Sequence, residues 1–376
     1  MRIGLNGYAF GITKDRIGQY ATFLTQSLIE SYPDVQFVLY TKQKLKIVLP
    51  KNCTVEVFSQ HTETRKKWEK GIMKLPSFAR LDYFHSFSVP QAESSKSKYG
   101  FTLHSGAAFR FRGFFFTVML QKMRLMRLVK GASMIVTVTD VLRKEASRMY
   151  SLPLNSLRVI PGASNLYFQK SPETATLQKV QKEITRGFDF LLYVGKVRKK
   201  SNIVQILEAF AKMVQEPRFS KLKLIITGRI PYHKDGFFMT ESEIKALLQN
   251  LKIASHVILP GPVSLENLRA LYKLTRGVVC DTTDFGFPAV AFEGSLAGAA
   301  MAIPSSPEYE EFFQGEFTKY HPGNPKSLRL ALSILADQVI SKNEQVVKAQ
   351  MTAHSYSWAD AARSLMQAIQ QAVEKK

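Results

Sequence analysis

The sequence predicts an α/β protein made of two open, doubly wound parallel sheets, each covered by helices on both faces. Three observations carry that expectation. Apolar strand-like runs alternate with segments of helical periodicity through both halves of the chain. The length, 376 residues, exceeds what one hydrophobic core normally holds. Residues 277–304, GVVCDTTDFGFPAVAFEGSLAGAAMAIP, read as a buried strand, a tight glycine-containing loop and a helix of small residues.

Residues 2–5 form the opening strand, and the loop after it contains Gly7, Gly11 and Gly18. It leads into a helix over 19–30, where Tyr20, Phe23, Leu24 and Leu28 recur at helical spacing. This junction is not the G-x-G-x-x-G phosphate pattern. Strands are expected at 36–39, 55–58, 82–85, 101–104 and 134–138. Thr139 and Asp140 supply caps for a helix over 141–150, and a strand at 158–160 with Pro161 and Gly162 closes the first half. Residues 171–188 are polar and charged, a linker with one short helix.

The second half restarts with a strand at 190–194 and Gly195. Then come helix 203–214, strand 222–227, helix 241–251, strand 256–259, helix 265–274 and the 277–304 unit. The expected organisation is a first domain over 1–170, the linker 171–188, a second domain over 189–354 and a terminal helix over 355–376. Open parallel sheets bind ligands outside the carboxyl ends of their strands, here in the cleft between the halves. Within 277–304 the strand, turn and helix N-terminus make a ready anion site; a tightly packed unit with no ligand is the alternative.

The formal charge is +22, and it is uneven. Residues 1–170 carry 26 Lys and Arg against 10 Asp and Glu, whereas residues 171–376 carry 26 against 20. Such a field concentrates an anionic partner on the first half. Residues 106–130 hold Phe109, Phe111, Phe114, Phe115 and Phe116 with six basic residues, and 101–139 contain no acid. That mixture suits reversible contact with an anionic membrane surface through Arg110, Arg112, Phe114, Lys122, Arg124 and Arg127. A core-facing helix with solvated arginines is the other reading.

Several classes are excluded by pattern. No Cys and His spacing fits a metal site, and no apolar run reaches eighteen residues. No export signal precedes the first strand, and the two cysteines, Cys53 and Cys280, are far apart, so a reduced, cytoplasmic protein is expected. Asp284-Phe285-Gly286 spells a kinase tripeptide without the catalytic loop or nucleotide loop that would accompany it. No nucleic-acid-binding motif is present, and no nucleic-acid partner is expected.

FLLYVGKVRKKSNIVQILEAF (190–210), VILPGPVSLENLRALY (257–272), and 277–304 continuing into SSPEYEEFFQGEFTKYHPGNP (305–325) form an ordered series. With MIVTVTDVLRKE before RVIPGA, and SYSWADAARSL (355–365), they resemble the retaining glycosyltransferases of the GT-B fold, the glycosyl transferases group 1 or family 4 type. The likeness spans nearly the whole chain, and it implies two facing Rossmann-like domains.

What the resemblance implies is carried over by position. The acid that holds the donor ribose falls on Glu293, with Gly298 five residues later as in the family pattern. The family's first acid lies eight positions before Glu293, which is Phe285; Asp284 beside it takes that role if the loop is shifted by one residue. Gly286 and Phe287 match the family's Gly-Phe, which places backbone N–H groups on the sugar or diphosphate. Lys196 stands where an arginine neutralises the leaving diphosphate, while the second cation of the pair counts to Ser201 or Asn202, just after Lys199 and Lys200. His104 matches a histidine near the donor sugar, and a strand-end histidine satisfied by backbone is its plainer reading. Gly18 would face the diphosphate from the first domain.

The implied catalytic set is therefore His104, Asp284 and Glu293, and the implied donor set is Gly18, Lys196, Lys200, Gly286, Phe287 and Glu293. The implied reaction moves a hexose from a nucleotide-diphosphate sugar to the hydroxyl of a lipid-linked or envelope-glycan acceptor, with retention and without a metal or other cofactor. The departures in the acidic loop and cation pair leave a second reading, a non-catalytic relative that binds a glycan, a surface or a partner protein.

Overall fold

The structure, a computed structural model, describes residues 1–12, 16–59, 64–92, 97–106, 115–195, 197, 202–228, 230, 239–281, 286–337 and 344–374, with the side chains of 115–117 excepted. In chain order the first elements are β1 (Arg2–Asn6), α1 (Arg16–Ser31), β2 (Gln36–Thr41), β3 (Cys53–Val57), α2 (Arg65–Ile72), β4 (Tyr83–Ser86), β5 (Lys98–Leu103), α3 (Phe115–Gly131), β6 (Met134–Thr137), α4 (Asp140–Tyr150) and β7 (Leu157–Val159). There follow α5 (Thr174–Val180), β8 (Phe190–Val194), α6 (Ile203–Met213), β9 (Lys223–Thr227), α7 (Glu241–Asn250), β10 (Val257–Gly261), α8 (Leu265–Leu274) and β11 (Gly277–Val279). The chain continues with α9 (Ala289–Leu296), β12 (Met301–Pro304), α10 (Pro307–Glu310), β13 (Thr318–Tyr320), α11 (Pro325–Asp337), α12 (Glu344–His354) and α13 (Trp358–Glu374).

The chain divides into two compact units. Unit 1 comprises Met1–Ala163, residues 284–287 and Tyr356–Lys376; unit 2 comprises Ser164–Thr283 and Pro288–Ser355. Residues 171–188, expected as a linker with one short helix, carry α5 and a π-helical turn, Gln181–Thr185, and belong to unit 2. Val180 and Thr185 are buried there and α5 packs on α8. Their polar composition describes the outward face of a docked helix.

Unit 1 contains a seven-stranded sheet in the order β3-β2-β1-β4-β5-β6-β7, and unit 2 a six-stranded sheet in the order β10-β9-β8-β11-β12-β13. Every pairing is parallel. Parallel strands are covered on both faces, so they read as continuous apolar runs such as FLLYV in β8. The strand order reverses between β1 and β4 in unit 1 and between β8 and β11 in unit 2. At those two switch points neighbouring crossovers leave to opposite faces and open a crevice at the strand carboxyl ends.

In unit 1, α13 packs along α1. Its apolar stripe of Ala362, Leu365, Met366 and Ile369 is buried in the unit 1 core. In unit 2, α12 packs on α9.

The sequence reading passed over β12, β13, α2, α11 and α12. Two of these have physical reasons close at hand. β12 is four residues following an Ala-Gly-Ala-Ala run, too short for periodicity to show. α2, RKKWEKGI, has only Trp68 and Ile72 as large apolar residues, one turn apart, and both are fully buried.

Candidate functional site

In unit 2, α9 mixes small residues with the fully buried Phe292 and packs closely at Gly294. A Cβ on Gly294 would lie 2.9 Å from the Met301 sulfur. Gly298 ends the helix in the left-handed conformation, φ 74°. The bonds Gly298 N–H to Ser295 carbonyl and Ala299 N–H to Gly294 carbonyl, both 2.9 Å, complete a Schellman cap. This cap is the physical content of the spacing between Glu293 and Gly298.

Glu293 sits in this helix at 5 % exposure, and the Tyr272 hydroxyl of α8 donates to its Oε2 at 3.1 Å. A carboxylate so buried needs donors around it, since an unpaired one would neutralise instead. Tyr272 in turn stacks edge-on with Phe168, with ring centroids 5.6 Å apart.

The carboxyl ends of the unit 2 strands are backbone-lined. Gly195, Gly228 and Gly261 follow or end β8, β9 and β10, and all three have positive φ. A Cβ on Gly228 would come within 2.3 Å of the Gly195 carbonyl oxygen, so only glycine lets these strand ends lie together. Asp281, just beyond β11, ties the switch point. Its carboxylate accepts the Asn202 backbone N–H at 2.9 Å and the Tyr193 hydroxyl at 3.2 Å, and its carbonyl accepts the Tyr309 hydroxyl at 2.9 Å. Asn202 caps α6, so this acid also lies at the positive end of that helix. The sequence reading missed Asp281; its position directly after an apolar strand was the available signal.

In unit 1, His104 follows β5. Its Nε2 is 2.8 Å from the Phe87 carbonyl oxygen, which fixes a proton on that nitrogen, and its ring meets Tyr20 edge-on at 4.8 Å. The Tyr20 hydroxyl donates to the Ile160 carbonyl at 3.0 Å. Gly286 and Phe287 belong to the same unit. A Cβ on Gly286 would stand 3.2 Å from Val138 Cγ2 and 3.3 Å from the His104 carbonyl oxygen. A Cβ on Gly162 would meet the rings of Trp358, Tyr20 and Phe287 at 3.4, 3.5 and 3.6 Å. The structure thus brings together His104, Gly286 and Phe287 around Tyr20, and adds Trp358 from the C-terminal helix.

Below this group lies His85, wholly buried, with Nε2 3.0 Å from the Thr102 hydroxyl. Burial, followed by the neighbouring His104, pushes its pKa down to about 3, so it is neutral.

Gly18 lies in the first turn of α1. A Cβ there would fall 1.9 Å from the Ile12 carbonyl oxygen, because Ile12 lies against the start of the helix. The Gly11 N–H donates to Thr22 Oγ1 at 2.9 Å, and that hydroxyl donates to the Gly18 carbonyl at 2.7 Å.

In α3, Lys122 and Arg127 are exposed, whereas Arg124 is half-buried and its guanidinium donates to the Gln91 carbonyl and side-chain oxygens. Met119, Leu120 and Met123 of the same helix are exposed, while Leu125, Leu128 and Val129 are buried. Arg110, Arg112, Phe114, Lys196, Lys200 and Asp284 lie outside the described residues. Among the described residues no group of His, Cys, Asp and Glu could hold a metal, and no helix is long and apolar enough to cross a membrane.

Residues 175–350 match the family model described as glycosyl transferases group 1. No curated protein matches the chain by sequence. Among solved structures, HepE of Anabaena, determined with UDP and glucose, is similar at a TM-score of 0.73 and 12 % identity, over 99 % of this chain and 100 % of that one. Sucrose-phosphate synthase of Thermosynechococcus elongatus gives 0.69 and 17 %, over 99 % and 98 %. WaaG, a glycosyltransferase involved in lipopolysaccharide biosynthesis, gives 0.71 and 12 %, over 98 % and 99 %. At such low identities the likeness speaks for the fold, which is that of the GT-B glycosyltransferases.

Proposed function

We propose, from the premise that residues 175–350 carry the glycosyl transferases group 1 pattern, that this chain transfers a hexose from a nucleotide-diphosphate sugar to an acceptor hydroxyl with retention of configuration. The observation that carries the reading is that this matched segment contains Glu293, buried in α9 with its carboxylate held by Tyr272. A carboxyl group there can accept hydrogen bonds from two vicinal hydroxyls of a donor ribose. The backbone N–H groups of Gly286 and Phe287 would meet the sugar or diphosphate. Lys196 and Lys200 would balance the charge of the leaving group, the task a divalent ion performs in other transferases. His104, with Nε2 protonated against Phe87, would take the part of the family's histidine near the donor sugar.

The acceptor belongs, in this reading, to basic unit 1, and a lipid-linked or envelope glycan fits the charge. Exposed Met119, Leu120 and Met123 beside Lys122 and Arg127 give α3 the composition of a helix that rests on an anionic membrane surface.

The test is incubation with radiolabelled nucleotide sugars, UDP-glucose first because HepE was also solved with it. Nucleotide-dependent transfer or hydrolysis is the expected result. A chain that binds no nucleoside diphosphate and turns over no donor would refute the proposal. Phe285, where the family's first acid is counted, favours a second reading, a binding protein without turnover. Measured turnover of any donor excludes it.

A further inference from the structure

The switch point of unit 1, between β1 and β4, opens onto a cluster that the proposed reaction has not used. Glu69 of α2 is wholly buried, yet its carboxylate is fully engaged. It accepts from Asn6 Nδ2 at 3.1 Å, Arg65 Nε at 2.7 Å, the Ala92 N–H at 3.0 Å and the Gln91 N–H. Asn6 also donates to Ser86 Oγ at 3.2 Å. One buried acid therefore ties the last residue of β1, the last residue of β4 and the chain after β4 to the start of α2.

Glu69 grips Arg65 by its Nε edge, which leaves the Nη edge for other partners; among the described residues Nη2 makes a long contact to Ser86 Oγ, 3.4 Å. The Arg65 guanidinium lies 5.5 Å from the centre of the Tyr8 ring. Lys42, the first residue after β2, brings its Nζ to 5.0 Å from the same ring. Two cations from different elements thus lie close to one half-buried aromatic ring at the strand carboxyl ends.

Among the described residues the local charge is left unbalanced. α2 begins Arg65, Lys66, Lys67 with no acid in its first turn, placing three cations at the positive end of the helix, where they are disfavoured. Glu69 offsets Arg65, but among the described residues Lys42, Lys66 and Lys67 take part in no ion pair. A planar guanidinium fork held from behind and an ammonium on a long, flexible stem together match a tetrahedral phosphate, while the end of α2 is capped by the Thr64 hydroxyl, which accepts from the Lys67 N–H.

We propose that this outlet of unit 1 binds the phosphate group of the acceptor, through the Nη edge of Arg65 and the Lys42 ammonium. The inference rests on the reading that unit 1 takes the acceptor, and it narrows the acceptor to a phosphate-bearing one. The phosphate belongs either to a soluble sugar phosphate or to a lipid.

Trp68 reports on the site, because its ring meets Tyr8 edge-on at 5.4 Å. Full-length protein is titrated, with tryptophan fluorescence as readout, against glucose 6-phosphate, inorganic phosphate, glucose, and phosphatidylglycerol or phosphatidylcholine vesicles. The expected result is a saturable response to glucose 6-phosphate and none to glucose, with Lys42→Ala weakening it by about tenfold. A Lys42-dependent response confined to phosphatidylglycerol vesicles would assign the phosphate to a lipid. Arg65→Ala would strand a buried Glu69, so Arg65→Lys is the companion variant, keeping the charge and losing the fork. Equal responses of wild type and Lys42→Ala to every phosphate probe overturn the proposal. UDP titrated in the same samples separates the two readings. UDP binding without a phosphate response sinks this inference alone; a phosphate response without UDP binding sinks the transferase reading and with it the acceptor role, leaving a phosphate site.

Discussion

Gly286 and His104, far apart in sequence, approach so closely in unit 1 that a Cβ on Gly286 would stand 3.3 Å from the His104 carbonyl oxygen. Gly286 also has φ of 61°, where an L side chain is strained. Gly286→Ala is expected to cost about 1–2 kcal/mol of stability, from strain and from the contact with Val138. Transfer activity should fall at least about tenfold, because the shift moves the backbone proposed to meet the donor. Thermal melting and kcat/KM measured side by side check both effects.

The buried Glu293 yields a graded series. Tyr272→Phe removes one donor to a buried carboxylate and is expected to cost about 1–3 kcal/mol of stability. Glu293→Gln keeps a hydrogen-bonding group of the same shape, whereas Glu293→Ala leaves the Tyr272 hydroxyl without this acceptor. Calorimetry with UDP should show weakening of about tenfold for Gln and more for Ala. Unchanged affinity in the Ala variant would remove Glu293 from the donor site.

Gly18 tests the glycine loop before α1. A methyl at this position falls 1.9 Å from the Ile12 carbonyl oxygen, so the backbone at Ile12 must move. Gly18→Ala should destabilise by about 1–3 kcal/mol despite the better helix propensity of alanine. Urea unfolding monitored by circular dichroism gives the sign directly.

Acid stability should depend on His85. Its folded pKa is pushed down to about 3, while an unfolded histidine titrates near 6.5. Between those values the unfolded chain holds the extra proton, so the contribution is complete above the unfolded value and is lost as pH falls toward the folded one. The slope from this residue is at most about 1.4 kcal/mol per pH unit. Unfolding free energies at pH 7 and pH 4.5 should differ by about 2 kcal/mol less in His85→Gln than in wild type. An identical difference in both proteins would show that another group controls acid unfolding.

The exposed apolar face of α3 predicts vesicle binding. Leu120, at 62 % exposure, can be changed to Asp without touching the core. Leu120→Asp with Met123→Asp should release the protein from phosphatidylglycerol vesicles in a sedimentation assay, and binding should weaken with added salt. Undiminished sedimentation of the double variant would dismiss α3 as the contact.

The sequence by itself determined the architecture, the strand-loop-helix unit around Glu293, and the basic character of the first half. It could do so because a parallel strand buried on both faces demands an unbroken apolar run, and a helix facing a core demands a periodic one. Those demands are local. They also explain the omissions, since four residues in β12 or a lysine-led α2 carry too little pattern to register. Tertiary structure alone decided that Gly286 rests on the end of β5 beside His104, that Asp281 holds the start of α6, and that Glu69 gathers Asn6 and the chain after β4. Each of these joins residues distant in sequence where strand order reverses or strand ends converge, and hydrogen bonds made across such places depend on topology, which no local spacing encodes.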